Sequence, residues 1–337
     1  MALALMNEVT RESRDGVSIC CGLGNEADVG FGEALEYLGA DSGTRAVLAY
    51  AEGIRDGRRF LAAAARVTRE KPVVLIKAAR SVAGAEAARS HTGAVAGPYD
   101  RLRAGMAQAG IVEVRRTDEL LQVAATLASQ PAAPAGTGVA ILSDGGGQGT
   151  LAVDALSEMG VPLAVLAPGT RDALRSLLGP AAAVANPVDL AGAADADPRV
   201  FARALQILAS DPEVGCVLVV GLFGGYGIRF SETLTEPEVE AAREMAALAG
   251  PAGKGVVVHS MYAPHWSAPL EVLGEARIPV MQSLDVACRC VAELWRRGQF
   301  LASRPWTPRM GDTVRKASPV VRAVRSQGRE VLTEPEA

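Results

Sequence analysis

The chain has 337 residues, of which 49% are apolar and 21% charged, and a net charge of −4. Those values describe globular material, enough for about two ordinary domains, and exclude a disordered or strongly basic polymer. They give no whole-chain footprint for nucleic acid, and no apolar run approaches the ~20 residues that a bilayer span needs.

Met1 to Met6 is apolar but lacks a basic leader and a cleavage site, so it predicts the first turns of a helix and not a signal peptide. Val17 to Cys21, Ala46 to Tyr50, Val73 to Lys77, Val139 to Leu142, Cys216 to Val220 and Val256 to His259 read as buried strands. Between them, Phe31 to Leu38, Arg58 to Arg69, Asp118 to Leu127, Leu151 to Met159, Val200 to Ala209, Glu236 to Ala249 and Leu284 to Trp295 carry helical patterns. Strands alternating with helices predict a parallel sheet covered by helices, an α/β fold. The five cysteines, Cys20, Cys21, Cys216, Cys288 and Cys290, form no C-x-x-C pair, which suggests a reducing, cytoplasmic setting.

The Pro-, Ala- and Gly-rich stretch 129–138 has no periodicity and reads as a linker. It separates a first domain, 1–128, from a second, 139–303. Beyond it, 304–337 reads as a basic linker or tail: from Arg296 to Arg329 there are nine basic residues and one acid, Asp312. The two halves repeat. Asp41-Ser-Gly-Thr-Arg-Ala-Val-Leu matches Asp211-Pro-Glu-Val-Gly-Cys-Val-Leu, and Ala109-Gly-Ile-Val with Asp118 matches Ala276-Arg-Ile-Pro with Asp285, in the same order.

Ligands of such sheets collect at the carboxyl ends of the strands, so glycine-bearing strand ends are the places to search. Asp144-Gly-Gly-Gly-Gln-Gly149 lies between a strand and a helix, where unpaired amides and the helix dipole favour an anion. A turn that merely needs glycine is the alternative. Asn186-Pro-Val-Asp189 either starts a turn or shapes an anion pocket, and Gly224-Gly225 is either a tight turn or part of the active edge. Glu52 ends a strand and can accept a hydrogen bond from an imidazole, though from position alone an exposed loop acid is the plainer reading. His91 stands in A-R-S-H-T-G-A-V-A-G, where small neighbours leave room for a phosphoryl group on a neutral, nucleophilic ring; a surface or packing histidine is the plainer reading. His259 and His265 have no zinc-like spacing with His91, so no metal site is expected.

K-P-V-V-L-I-K-A-A-R-S, A-G-A-E-A-A-R-S-H-T-G-A-V-A-G, G-L-G-N-E-A-D-V, Y-A-E-G-I-R-D-G-R-R-F, S-D-G-G-G-Q-G-T-L-A-V-D and N-P-V-D-L together resemble the motifs of nucleoside-diphosphate-forming acyl-CoA synthetases. These are the ADP-forming acetate–CoA ligases and their succinyl-CoA synthetase relatives. The resemblance covers nearly the whole chain. It implies two tandem flavodoxin-like, doubly wound parallel-sheet domains. It also implies an acid–thiol ligase reaction, acid, CoA and ATP giving acyl-CoA, ADP and phosphate through an acyl phosphate and a phosphohistidine. His91 falls on the phosphohistidine and Glu52 on its supporting acid. Gly24 and Asn25 fall on an active-site loop, and Ser90, Thr92 and Gly93 flank the histidine. Asp144, Gly145, Gly146, Gly147 and Gly149 fall on an anion-binding helix start. Asn186 and Asp189 fall on N-P-V-D-L, and Gly224 and Gly225 on a second glycine turn.

No permanently bound cofactor is implied. CoA, ATP or ADP with Mg²⁺, and a small carboxylic acid or its acyl phosphate are the implied substrates. The family carries a CoA-binding Rossmann domain and an ATP-grasp domain, neither of which is recognisable here. The first helix resembles one that follows a Q-S-G-type anion loop, so the chain is expected to begin inside its first domain. It is then expected to need those domains as partners, in an oligomer, without nucleic acid or membrane. Ala79 stands where the family often has Gly. Two rival readings are a non-catalytic sensing or scaffold module, as in ligase-like regions of lysine acetyltransferases, and a nucleotide-independent acyl or carbamoyl transferase.

Overall fold

The computed structural model describes residues 7, 9, 16–92, 99–180, 182–249, 254–307, 323, 324 and 326–329; within the helix that holds them, the side chains of 89, 91 and 92 are also outside the description. Two compact units emerge, one of Met1–Ala124 with Arg304–Ala337 and one of Ala125–Ser303. Among the described residues the first holds three parallel strands, β1 (Val47–Ala51), β2 (Val73–Lys77) and β3 (Val112–Val114), paired in that order. Helices α1 (Phe31–Ala40), α2 (Gly57–Glu70), α3 (Val82–Thr92), α4 (Tyr99–Gln108) and α5 (Thr117–Ser129) accompany them, the last crossing into the second unit.

The second unit carries a five-stranded parallel sheet of β4 (Gly138–Ser143), β5 (Val188–Asp189), β6 (Val214–Gly221), β7 (Gly255–Ser260) and β8 (Val280–Met281). Its spatial order is β5-β4-β6-β7-β8, the 2-1-3-4-5 arrangement of flavodoxin-like folds. The helices are α6 (Gly146–Glu158), α7 (Pro168–Leu178), α8 (Ala193–Ala196), α9 (Val200–Ser210), α10 (Tyr226–Arg229), α11 (Thr235–Leu248), α12 (Ala268–Glu275) and α13 (Leu284–Ala302). Every residue of β4, β6 and β7 is buried, as expected of strands covered on both faces. Few aromatics are needed. Alanines such as Ala204, Ala241 and Ala242 bring helices close to the sheet, and Phe201 packs edge-on against Phe223 at 5.0 Å between ring centres.

The internal repeat has a physical counterpart. β1-β2-β3 answers β6-β7-β8, and each half ties its strands with the same contact. Lys71 Nζ donates to the Asp41 carbonyl in the first unit, and Lys254 Nζ donates to the Asp211 carbonyl in the second. The turn before the last strand is left-handed in both, at Gly110 (φ 76°) and Arg277 (φ 60°).

Some expectations need correction. Val17 to Cys21 is not a strand: it makes no ladder, Val17 is 45% exposed, and Cys20 and Cys21 are exposed. Of its five side chains only Val17 and Ile19 are aliphatic, which is too little apolar surface to hold a position beside β1. The helix expected from Leu151 begins at Gly146, because the glycine turn itself supplies the first helical residues. The segment before His91 is helical, with Ala83, Ala85, Ala87 and Ala88 supplying strong helix propensity. The stretch 129–138 is fastened to the second unit: Gln130 accepts the Val256 N–H, Ala133 N–H donates to Leu294 O, and Trp295 Nε1 donates to Thr137 O. Trp306 packs, partly buried, on the first unit's core, while Arg304, Pro305 and Thr307 around it are exposed. The expected helix at Met1 to Met6 lies outside the described residues.

Candidate functional sites of the two units

In the first unit the carboxyl ends of β1 and β2 lie side by side, with Ala51 opposite Lys77. Glu52 follows directly. Its Oε1 accepts the Tyr50 hydroxyl at 3.0 Å, and its main-chain carbonyl accepts Lys77 Nζ, which also donates to Ala78 O. Lys77 is only 5% exposed, and burial pushes its pKa down while the neighbouring Glu52 and Glu113 carboxylates oppose the shift. Burial and the Glu52 hydrogen bond push the Tyr50 phenol up, so it stays a donor at neutral pH.

Gly24 and Asn25 lie on a loop that Glu26 holds in place. Glu26 is buried and left-handed (φ 54°); its Oε2 accepts the Phe31 N–H at 3.0 Å and its Oε1 the Arg55 N–H at 2.9 Å. One carboxylate thus binds the Gly24–Asn25 loop to the chain just after Glu52. Ala79 is left-handed (φ 54°), a conformation in which glycine would carry no Cβ strain. Ser90 is exposed near the end of α3, and His91 and Thr92 close that helix. The side chains of His91 and Thr92, and Gly93 as a whole, lie outside the described residues.

In the second unit the strand order reverses between β4 and β6, which is where doubly wound sheets open a crevice. Asp144 and Gly145 leave β4 there, and α6 begins at once. Gly145 is its N-cap and offers no side-chain cap; Gly146 and Gly147 are exposed. A 13-residue helix thus presents its first amides, with its positive dipole end, at the crevice. Ser143 braces the turn, its Oγ donating to Gly145 O at 2.7 Å and accepting the Gly145 N–H at 3.1 Å. Gly149 is buried against Ser143 and Pro187 and serves packing.

Other expected residues turn out to be occupied inside the protein. Asp144 Oδ2 accepts the Leu222 N–H at 2.8 Å and the Tyr226 hydroxyl at 2.9 Å, and burial raises its pKa. Asn186, joined to Pro187 by a cis peptide, takes the Ile141 N–H on its Oδ1 and donates to Val139 O and Ala164 O. Asp189 Oδ1 accepts the Ala191 N–H, and its Oδ2 lies close to Gly146, 3.2 Å from where a Cβ would stand there. Gly224 donates its N–H to the buried carboxylate of Glu238, as does Tyr226, and the amides of Gly225 and Gly227 also face that group. Gly225 presses against the Tyr262 ring, which a Cβ would overlap at 2.1 Å. The second glycine turn is therefore a nest already filled by the protein's own Glu238 carboxyl group.

Sequence reasoning missed Tyr50, Lys77, Glu26, Tyr226 and Glu238. Y-x-E and the lysine ending an otherwise apolar strand were the available signals. His259 is 4% exposed, and burial pushes its pKa down; its Nδ1 has no partner among the described residues. Among the described residues no group of three or more His, Cys, Asp or Glu is arranged to hold a metal ion. No helix there is long and apolar enough to cross a membrane.

Comparison with known proteins matches residues 1–127 to the succinyl-CoA ligase-like flavodoxin domain and residues 139–258 to the ligase-CoA domain. ADP-forming acetate–CoA ligase I of Archaeoglobus fulgidus is 40% identical over 213 residues, 63% of this chain and 30% of that protein. The alpha subunit of ADP-forming acetate–CoA ligase II of Pyrococcus furiosus is 39% identical over 205 residues, 61% of this chain and 44% of that subunit. The solved structure of dinucleotide-forming acetyl-coenzyme A synthetase 1 of Ca. Korarchaeum cryptofilum, in complex with phosphate and ADP, superposes with a TM-score of 0.75 at 25% identity, over 89% of this chain and 63% of that one. The chain thus spans less than half the length of these two curated relatives.

Proposed function

Because the chain belongs to the nucleoside-diphosphate-forming acyl-CoA synthetase family, where it corresponds to CoA-ligase domains, we propose that it carries the phosphoryl relay of an acetate–CoA ligase-like enzyme. In the thioester-cleaving direction, acyl-CoA and phosphate give CoA and an acyl phosphate. A ring nitrogen of neutral His91 attacks that phosphorus; the P–O bond to the acyl group breaks, and the carboxylate leaves with the electron pair. The other ring nitrogen, now in an imidazolium, donates its N–H to Glu52, which lowers the energy of the charged ring. Phosphohistidine then passes the phosphoryl group to ADP. The reverse sequence makes the thioester.

Within the second unit the amides opening α6 are assigned a phosphate or acyl phosphate; within the first, Gly24, Asn25, Ser90, Thr92 and Gly93 are assigned to the surroundings of the histidine. CoA and the Mg²⁺-bound nucleotide are assigned to partner domains or a partner subunit, in an oligomer. The domains run 1–128 and 139–303, with 129–138 and 304–337 as connecting segments. The relatives favour this reading over a sensing module or a nucleotide-independent transferase.

The observation that supports it best is the coincidence of exposed Gly146 and Gly147 amides with the reversal point of the second sheet. The test uses this chain with radiolabelled acetyl phosphate, which enters the relay after the CoA step and before the nucleotide step. Acid-labile, alkali-stable label on His91, absent from His91→Ala, is expected. Equal labelling of the two proteins would sink the proposal.

A further inference from the structure

β2 is buried at every position, yet it ends in a lysine. Lysine is almost never fully buried unless it is paired, since taking an ammonium out of water is costly. Here Lys77 meets two main-chain carbonyls, those of Glu52 and Ala78, and lies in the field of the Glu52 and Glu113 carboxylates. The other unit shows what the fold alone requires. Ser260 ends β7 in the place where Lys77 ends β2, and its Oγ donates to Phe223 O in the loop after β6, as Lys77 does to Glu52 O after β1. A neutral hydroxyl therefore suffices to fasten that loop. The buried charge in the first unit asks for another account.

The geometry supplies one. Glu52 is gripped at both ends, its carbonyl by the Lys77 ammonium and its carboxylate by the Tyr50 hydroxyl at 3.0 Å. Because Tyr50 and Glu52 are two residues apart across a strand end, the phenol fixes the rotamer of the carboxylate, while Lys77 fixes the main chain from the adjacent strand. We propose that Lys77 and Tyr50 are positioning residues, which together hold the Glu52 carboxylate where it orients the His91 ring. This rests on the phosphohistidine reading. Neither residue needs to touch substrate; both act through Glu52. A misplacement of about 1 Å in such a group can slow chemistry by roughly a hundredfold.

The experiment is single-turnover labelling of the whole chain by acetyl phosphate, with rate, final stoichiometry and half-saturating concentration measured separately. Lys77→Met keeps the stem without the ammonium, and Tyr50→Phe keeps the ring without the hydroxyl. Each is expected to slow labelling by roughly tenfold to a hundredfold while leaving the final stoichiometry and the half-saturating acetyl phosphate unchanged. In a Glu52→Gln background each is expected to add little, because the group they position has lost its charge. Tyr50→Phe stands as the second variant should Lys77→Met fail to fold. Rates equal to wild type in folded variants would overturn the inference alone. So would a slowing that stays fully additive with Glu52→Gln, or one that comes with a matching loss of labelled fraction, since either marks mere support of the fold. A wild-type chain that takes no label on His91 would overturn the functional reading and this inference with it.

Discussion

Tyr226 donates its hydroxyl to Asp144 Oδ2 over 2.9 Å, and the same oxygen takes the Leu222 N–H at 2.8 Å. One carboxylate thereby links the ends of β4 and β6, the adjacent strands between which the strand order reverses. Asp144→Ala would strand both donors, at about 1–3 kcal/mol for each unsatisfied group. Urea unfolding should register a loss of roughly 2–5 kcal/mol for Asp144→Ala, and a clearly smaller one for Asp144→Asn, whose amide oxygen still accepts. Equal losses for the two variants would mean that the hydrogen bonds are not what Asp144 contributes.

Glu238 carries a pH signature. Four backbone amides face it, yet burial outweighs them and pushes its pKa up from 4.5 to about 7. Between those values the folded protein keeps a proton that the unfolded chain releases. The native state then binds more protons, and stability falls as pH rises. The contribution is complete below 4.5 and lost above about 7, amounting to roughly 3 kcal/mol. Urea midpoints of wild type should fall across that window relative to Glu238→Gln, which has no carboxyl to titrate. Parallel curves would refute the assignment.

Packing makes a sharper demand at Gly298. On α13 it faces the Ala133 carbonyl so closely that a Cβ would stand 1.6 Å from that oxygen. Alanine is the better helix former by about 1 kcal/mol, so propensity alone predicts stabilisation by Gly298→Ala. Overlap with a main-chain atom that cannot swing away should win, at about 1–3 kcal/mol net destabilisation. A fall in Tm of roughly 2–10 °C is expected; a rise would show that the 129–138 segment is free to move off the helix.

These contrasts mark where sequence reasoning reached and where it stopped. Val73 to Lys77 was read with its true bounds, because a run of β-branched and apolar residues leaves few alternatives. Val112–Val114 and Val280–Met281 were missed, since two or three residues carry no period; only their pairing with β2 and β7 makes them strands. Glycine pairs at 146–147 and 224–225 looked alike in sequence and differ in fold. What separates them is Glu238, 14 residues from Gly224 along the chain on a helix whose acids otherwise read as a solvated face. Likewise Asn186 looked like a ligand-binding amide, but its three hydrogen bonds go to backbone groups of residues 139, 141 and 164, contacts no local pattern announces.

The glycine turn that remains open gives the most discriminating substitution. Gly147 is exposed, lies in the first turn of α6, and a Cβ there would meet nothing within 4 Å. Its conformation is helical and accepts any L-residue, so Gly147→Ala removes backbone freedom from the unfolded chain and should raise stability by about 0.5–1 kcal/mol. Binding should move the other way. A methyl group beside the first helical amides keeps a phosphoryl oxygen from closing on them, and a hydrogen bond to a charged group is worth ~1.5–3 kcal/mol. The phosphate concentration that half-saturates binding to the chain should therefore rise roughly tenfold or more, at a higher unfolding temperature. Opposite signs in one variant separate an anion site from a turn that merely tolerates glycine: if phosphate binding is unaffected while stability rises, the amides of α6 hold no phosphate and glycine at 147 has no ligand to explain it.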